Sequence, residues 1–155
     1  MVSCVLGGTF NILHKGHEAL FRRALLFDKI FIGITSDGFV RKNKIYPPTP
    51  FSKRKKEVER WFAKRNRKIK TIKIEDVFGD TLEKEYDYIV VSEETLPNAE
   101  KINRIRKKLG KRQMGIVVVP LVLAYDGKKI SALRIYKGEI DRSGRKAQKK
   151  QKRWL

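Results

Sequence analysis

The chain has 155 residues, 41% apolar and 35% charged, with one cysteine and a net charge of +20. It is long enough for one domain with a buried core and too apolar for intrinsic disorder; Cys4 alone makes no disulfide framework or cysteine zinc cluster, and no run of about 18 apolar residues offers a membrane span. With no basic segment ahead of the apolar residues 2–6, no secretory leader is expected, and the reading is a cytoplasmic protein whose 37 Lys and Arg against 17 Asp and Glu attract polyanions.

Residues 2–6, apolar apart from Ser3, form a run closed by Gly7-Gly8, which predicts a buried parallel strand. Residues 17–27 follow as a helix with Ala19, Leu20, Ala24 and Phe27 near one face. A second strand is predicted over 29–34. A second helix over 52–65 carries Val58, Trp61 and Phe62 as its stripe. Residues 69–74 mix isoleucines with Lys and Thr and predict a half-buried strand, and 88–91 predict a fourth. Asn98 is a candidate N-cap for a helix through Leu109, stopped by Gly110. Residues 116–119 are a β-branched fifth strand, and a short helix is expected near 131–137. Alternating strands and helices predict a Rossmann-like α/β domain over 1–141, a five-stranded parallel sheet with helices on both faces. Residues 143–155 lack apolar periodicity and read as a mobile basic tail.

Charge is distributed unevenly. Residues 41–73 carry 14 basic and 2 acidic side chains, 101–112 carry 7 and none, and 142–155 carry 7 and none; 74–100 carry 1 basic and 9 acidic. A phosphate-rich small substrate, a nucleic acid, or simply a solvated surface biased toward high temperature all fit this pattern.

Ligands of open α/β sheets sit beyond the carboxyl ends of the strands, where the strand order reverses. The loop after the first strand reads Gly7-Gly8-Thr9-Phe10-Asn11-Ile12-Leu13-His14-Lys15-Gly16-His17 and holds both histidines of the chain. Glycines let backbone approach a ligand, and a helix N-terminus attracts anions. His14 and His17 there are candidate donors to phosphate oxygens; the alternative is a pair of ordinary polar loop residues. A metal site would need more ligands, and none is expected. The loop is neither a Walker A loop nor a dinucleotide fingerprint.

Gly7-Gly8-Thr9-Phe10 with His14-Lys15-Gly16-His17 resembles the first signature of the HxGH nucleotidylyltransferases. Further segments follow in order: Thr35-Ser36-Asp37, Lys44-Ile45-Tyr46, residues 50–54, residues 74–81, Val90-Val91-Ser92-Glu93-Glu94-Thr95, and residues 130–141. Together they resemble the archaeal and eukaryotic-type phosphopantetheine adenylyltransferases over nearly the whole chain. The resemblance implies transfer of the adenylyl group of ATP, with Mg²⁺, to 4′-phosphopantetheine, giving dephospho-coenzyme A and pyrophosphate. It implies that His17 stabilises the transition state, His14 lies near the ATP phosphates and Thr9 positions the attacking phosphate within the Gly8, Thr9, Phe10 and Gly16 framework. Lys44 binds the acceptor phosphate, with Lys42 close enough to be confused with it. Ser92, Glu93, Glu94 and Thr95 border the nucleotide. The chain is expected to act as a monomer.

Some positions depart from the pattern. Only Ser131 survives of the hydroxyls that grip the outer phosphates, beside Ala132 and Leu133, and Tyr136 stands where an arginine is expected, with Arg134 two residues earlier. Asn11-Ile12 replaces Asp-Pro, and Val77 and Asp80 replace two prolines. Compensation by the surplus cations, a different substrate, and reduced activity are the three explanations. The alternatives are nucleotidyl transfer to another phosphomonoester, such as a flavin or nicotinamide mononucleotide, and a non-catalytic nucleic-acid-binding descendant of the fold. A weak RNA or anionic-surface contact through the tail belongs to the same expectations.

Overall fold

Strands covered on both faces need apolar residues at odd and even positions alike, and the predicted strands mostly supply them. The computed structural model describes residues 1–148. Its strands are β1 (Ser3–Gly8), β2 (Lys29–Thr35), β3 (Lys70–Ile74), β4 (Tyr88–Ser92) and β5 (Gly115–Val119). They form one parallel sheet in the order β3-β2-β1-β4-β5. From β1 the chain winds out to β3 and then crosses back to β4. The strand order therefore reverses between β1 and β4.

The pleat sorts the core into two layers. Cys4, Leu6, Ile30, Ile32, Ile34 and Val90 pack on one face with α1 (Lys15–Ala24) and α3 (Phe51–Ala63), through Phe21, Ala24, Val58 and Phe62. Val5, Ile89 and Val91 pack on the other with Ala99 and Ile102 of α4 (Leu96–Lys108). Burial pushes the Cys4 thiol up to about 12, so it behaves as a small apolar side chain. A third, smaller cluster joins Ile12 of the first loop to Ala124, Ile130, Ile140 and Ile135 of α5 (Ala132–Tyr136). No helix of the described residues is long and apolar enough to cross a membrane.

Four details differ from the sequence reading, each for a local reason. α1 starts at Lys15, two residues early, because His14 caps it. A helix not predicted, α2 (Asp37–Asn43), is too short to show periodicity; Ser36 caps it by accepting from the Phe39 amide at 3.1 Å. Asn98 is not the cap of α4, which starts at Leu96 with Pro97 in its first turn. The Asn98 amide instead donates to the Val77 carbonyl at 2.9 Å. Finally, the boundary of the folded chain lies beyond 142. Residues 142–147 form a strap: the Lys15 amide donates to Arg142 O, Tyr125 to Gly144 O, Asp141 to Arg145 O and Ala147 to Glu139 O, at 2.8–3.2 Å. Backbone pairing holds this segment without apolar periodicity, so hydropathy alone missed it. The remaining tail, 149–155, lies outside the described residues.

Gly144 sits in the left-handed region at φ 81°, and a Cβ there would lie 2.7 Å from Ile130 Cδ1 and 3.0 Å from Ala124 Cα. Gly144→Ala should therefore lower stability by about 1–3 kcal/mol in urea denaturation. Lys146→Ala, on the same strap with an exposed side chain, should leave the midpoint unchanged.

Candidate active site

A cavity of about 710 Å³ opens at the carboxyl ends of the strands. Its centre is the loop between β1 and α1, at the point where the strand order reverses, as expected for this sheet class. Thr9, Phe10, His14 and His17 line it from that loop, Lys44 and Tyr46 from the segment after α2, and Ser92, Glu94 and Thr95 from the loop after β4.

The first loop is held in a strained, tightly packed shape. Phe10 is buried with φ 49°, a left-handed conformation that costs a non-glycine residue of the order of 1–3 kcal/mol. Its ring lies over Gly8, where a Cβ would come within 2.7 Å of Phe10 Cζ. Gly16 is constrained likewise: a Cβ would lie 2.8 Å from His14 Cε1. The two glycines thus make room for the two rings that shape the loop.

His14 is the N-cap of α1. Its Nδ1 accepts from the Gly16 amide at 3.0 Å, and His17 Nδ1 accepts from the His14 amide at 3.3 Å. Imidazoles here occupy the roles that a hydroxyl and a glutamate play in a common capping box. The rings stack at 3.7 Å between centroids, 19° from parallel. An Nδ1 that accepts must be unprotonated, so a neutral ring carries its proton on Nε2. Burial holds His14 down to about 4. Burial, then the neighbouring His14, hold His17 well below the usual histidine range, with the Ile12 backbone acting in the opposite direction. Both rings are therefore neutral Nε2–H donors at neutral pH, fixed in orientation by the helix they cap.

Beneath this loop lies a fully buried arginine that the sequence reading did not single out. Arg54 is 1% exposed. Its Nη1 donates to Thr9 O at 2.9 Å and Thr35 O at 2.7 Å, its Nε to Thr49 O at 2.6 Å, and its Nη2 to Asp37 Oδ1 at 2.7 Å. One guanidinium thereby ties together the ends of β1 and β2, the start of α2 and the approach to α3. Thr35 Oγ1 lies 3.1 Å from Thr9 Oγ1. Asn11 adds a second tie, accepting from the Thr49 amide at 2.7 Å and donating to Pro47 O at 3.2 Å. The signal for Arg54 was its place on the stripe of Phe51, Val58 and Phe62, where a cation could be mistaken for surface.

The other candidates divide. Lys44 lines the cavity, whereas Lys42 lies on the exposed side of α2 and does not. Ser92 and Thr95 close a tight turn, with the Ser92 amide donating to Thr95 Oγ1 at 3.1 Å. Glu93 does not line the cavity; it accepts from the Leu121 amide at 3.1 Å. Glu94 pairs with Lys129, a lining residue absent from the sequence reading. Ser131 lines the cavity and caps α5, accepting from the Arg134 amide at 3.2 Å. Arg134 does not line the cavity. Its guanidinium is engaged by Asp126 at 2.5 Å, Glu139 at 3.0 Å and Lys129 O at 3.0 Å. Among the described residues, no group of three or more His, Cys, Asp or Glu is gathered for a metal.

A cavity at the switch point, with paired neutral donors on a helix N-terminus, is the arrangement in which open α/β sheets bind phosphate-bearing ligands. The chain belongs to the cytidylyltransferase-like family, whose model matches residues 5–138. Within it, the chain groups with phosphopantetheine adenylyltransferases. That of Methanosarcina acetivorans is 41% identical over 151 residues, covering 94% of this chain and 96% of the relative. A bifunctional phosphopantetheine adenylyltransferase/NTP phosphatase of Thermoplasma acidophilum is 45% identical over 144 residues, 92% of this chain, yet the match spans only 44% of that longer relative. A crystal structure of an Archaeoglobus fulgidus protein of unknown function superposes with a TM-score of 0.71 at 39% identity, covering 76% of this chain and 89% of that one.

Two outcomes follow from the buried groups. Arg54→Met leaves three carbonyls and Asp37 without their partner and should cost about 3–5 kcal/mol in chemical denaturation, with Arg54→Lys recovering only part. His14 takes up a proton near pH 6.5 when unfolded but only near 4 when folded. Its contribution is intact above pH 6.5 and should fall by about 3 kcal/mol as pH drops toward 4. Denaturation midpoints of wild type and His14→Asn across that window measure the difference.

Proposed function

We propose that the chain transfers the adenylyl group of ATP to 4′-phosphopantetheine, releasing pyrophosphate and forming dephospho-coenzyme A. The observation that carries this reading is the His14–His17 pair, two oriented Nε2–H donors at a helix N-terminus inside a cavity at the switch point. The relatives supply the acceptor by likeness.

The chemistry asks little of the protein beyond position and charge. The acceptor phosphate is already a nucleophile, so no general base is needed. One of its oxygens bonds to the α-phosphorus, the bond from that phosphorus to the bridging oxygen breaks, and pyrophosphate leaves in line. His17 stabilises the crowded α-phosphoryl group, His14 contacts the adjacent phosphates, and Thr9 positions the attacking phosphate. Lys44 takes the acceptor phosphate. On the Lys44 side the cavity wall carries Ile45, Ile72, Ile74, Val77 and Phe78, interrupted by Asp76 and Asp80, and its apolar part suits a long, weakly polar acceptor arm. Ile45 is 76% and Val77 56% exposed, apolar area that such an arm would cover. Mg²⁺ enters as the counter-ion of ATP, hence as substrate.

Incubation with MgATP and a panel of phosphomonoesters, reading pyrophosphate and the adenylylated product, tests the reading; 4′-phosphopantetheine should be the preferred acceptor over flavin and nicotinamide mononucleotides. His17→Ala should lower kcat by about 10²–10³-fold with little change in ATP affinity. Lys44→Ala should raise the KM for 4′-phosphopantetheine while leaving that for ATP nearly unchanged. Equal loss on both substrates would overturn the Lys44 assignment.

A further inference from the structure

We propose that the hairpin over residues 139–147 is a positioning element of the active site, bracing the histidine pair through the Arg142 carbonyl; this rests on the adenylyl-transfer reading and deepens it. The connection runs through one peptide group. The peptide joining His14 to Lys15 is planar, so holding both of its polar groups fixes the backbone at His14. His14 O accepts from the Glu18 amide at 3.1 Å, the first bond of α1. The Lys15 amide is the first of that helix and has no partner within it. It donates out of the loop, to Arg142 O at 3.0 Å. The amides on either side set the rings: His14 N–H donates to His17 Nδ1, and Gly16 N–H to His14 Nδ1. Of three successive amides, two orient the imidazoles and the one between them goes to the hairpin.

The hairpin is built to keep that carbonyl in place. Ala147 N–H donates to Glu139 O at 3.2 Å and Asp141 N–H to Arg145 O at 2.9 Å. Asp141 Oδ1 accepts from the Ser143 and Arg145 amides at 2.8 and 3.0 Å, closing the turn that contains Arg142. Gly144 seats the turn: its carbonyl accepts from the Tyr125 amide at 2.8 Å, and it packs bare against Ile130 and Ala124. Those two residues and Ile140 form the cluster that also receives Ile12. This part of the chain therefore holds the histidine loop at residues 12 and 15, on either side of His14. Arg54 and the 47–49 segment hold it at Thr9 and Asn11. Loss of the Arg142 tie would leave the rings bound to the helix but the helix start free to shift. A displacement of about 1 Å near reacting atoms can cost about 10²-fold in rate.

Proline is accepted at the first position of a helix and needs an extended residue before it, as His14 is at φ −139° and ψ 176°. Lys15→Pro therefore removes the donor to Arg142 O with the helix preserved. Lys15→Ala is its control, losing the same exposed side chain and keeping the amide. Gly144→Ala disturbs the connection from its far end, with Lys146→Ala as control. Kinetics with MgATP and 4′-phosphopantetheine are measured where circular dichroism shows each variant folded. Lys15→Pro and Gly144→Ala should each lower kcat about tenfold or more, with KM for 4′-phosphopantetheine within about twofold of wild type. Both controls should match wild type. The double variant should be no slower than the slower single one, because the two substitutions break one connection. Long-range ¹H–¹⁵N NMR reads the rings without substrate: the chain has two histidines, and His14→Asn assigns them. Both should show the single Nε2–H tautomer in wild type and the controls, and a mixture in Lys15→Pro and Gly144→Ala. The proposal is overturned by wild-type kcat in Lys15→Pro, by a loss confined to KM, by an equal loss in Lys15→Ala, by losses that multiply in the double variant, or by rings unchanged in both variants. If the wild type makes no dephospho-coenzyme A but its rings respond as described, the acceptor reading fails and the brace on the histidine pair stands.

Discussion

A guanidinium without water must find its partners in the protein, and Arg54 finds four. Desolvating a charge costs several kcal/mol, and only well-aligned acceptors offset it. That constraint fixes more than the arginine. Thr9 O and Thr35 O belong to adjacent strand ends, Thr49 O to the approach to α3, and Asp37 to the first turn of α2. If any of these loops moved, a buried donor would be stranded. The loops at the β1–β2 end of the cavity are therefore held in place for the same reason that the arginine is tolerated. Lysine would not serve, since an ammonium cannot span four acceptors in one plane.

Rigidity continues into the histidine pair by a different route. A helix N-terminus is usually capped by Asp, Ser, Thr or Asn. A carboxylate there would satisfy the amides but repel an approaching phosphate. Neutral imidazoles cap through Nδ1 and still offer an Nε2–H on the far side of the ring. On the proposed reading, the cap and the anion site are the same two side chains. Because both rings are spent on the helix at one edge, their donors are oriented before substrate arrives, which is how fixed donors stabilise developing charge most effectively. The positive φ of Phe10 and the bare Cα atoms of Gly8 and Gly16 are what this packing requires of the backbone.

Much of this was legible in the sequence, and the failures share causes. The strands were visible because both faces are apolar, and the histidine loop because both histidines fall within one glycine-rich turn. α2 was missed because seven residues cannot show a 3.6-residue period. The strap over 142–147 was missed because it is held by backbone pairing, which leaves no mark on hydropathy. Arg54 was passed over as surface charge, and Arg106 in the same way. Both sit at apolar positions of their helices, Arg54 with Val58 and Phe62, Arg106 with Ala99 and Ile102. Arg106 is wholly buried and donates to Thr81 O, Lys84 O, Arg112 O and Glu85. In a chain with 37 basic residues, helical phase, more than charge, separates the structural cations from the solvated ones. The division between Lys42 and Lys44 likewise follows from where α2 ends, which the sequence did not mark.

The net charge of +20 invites the inference that anion binding is diffuse. The cavity argues otherwise. At physiological ionic strength, charges farther than about 8 Å from a bound phosphate are largely screened. Most of the exposed lysines and arginines of α3 and α4 lie on helix faces away from the cavity, so they raise the local concentration of anions and the rate of encounter more than the affinity. Affinity at the site depends on the groups that line it: two neutral histidines, two lysines and the backbone amides of one glycine-rich loop. The lining also includes Asp76, Asp80 and Glu94, from the acidic stretch 74–100. Asp76 and Asp80 already accept from the Phe78 and Gly79 amides and from the Tyr86 hydroxyl, and Glu94 is paired. Their oxygens are thereby partly engaged in internal bonds, and the cavity presents to an incoming anion a small number of aimed donors instead of a uniform positive field.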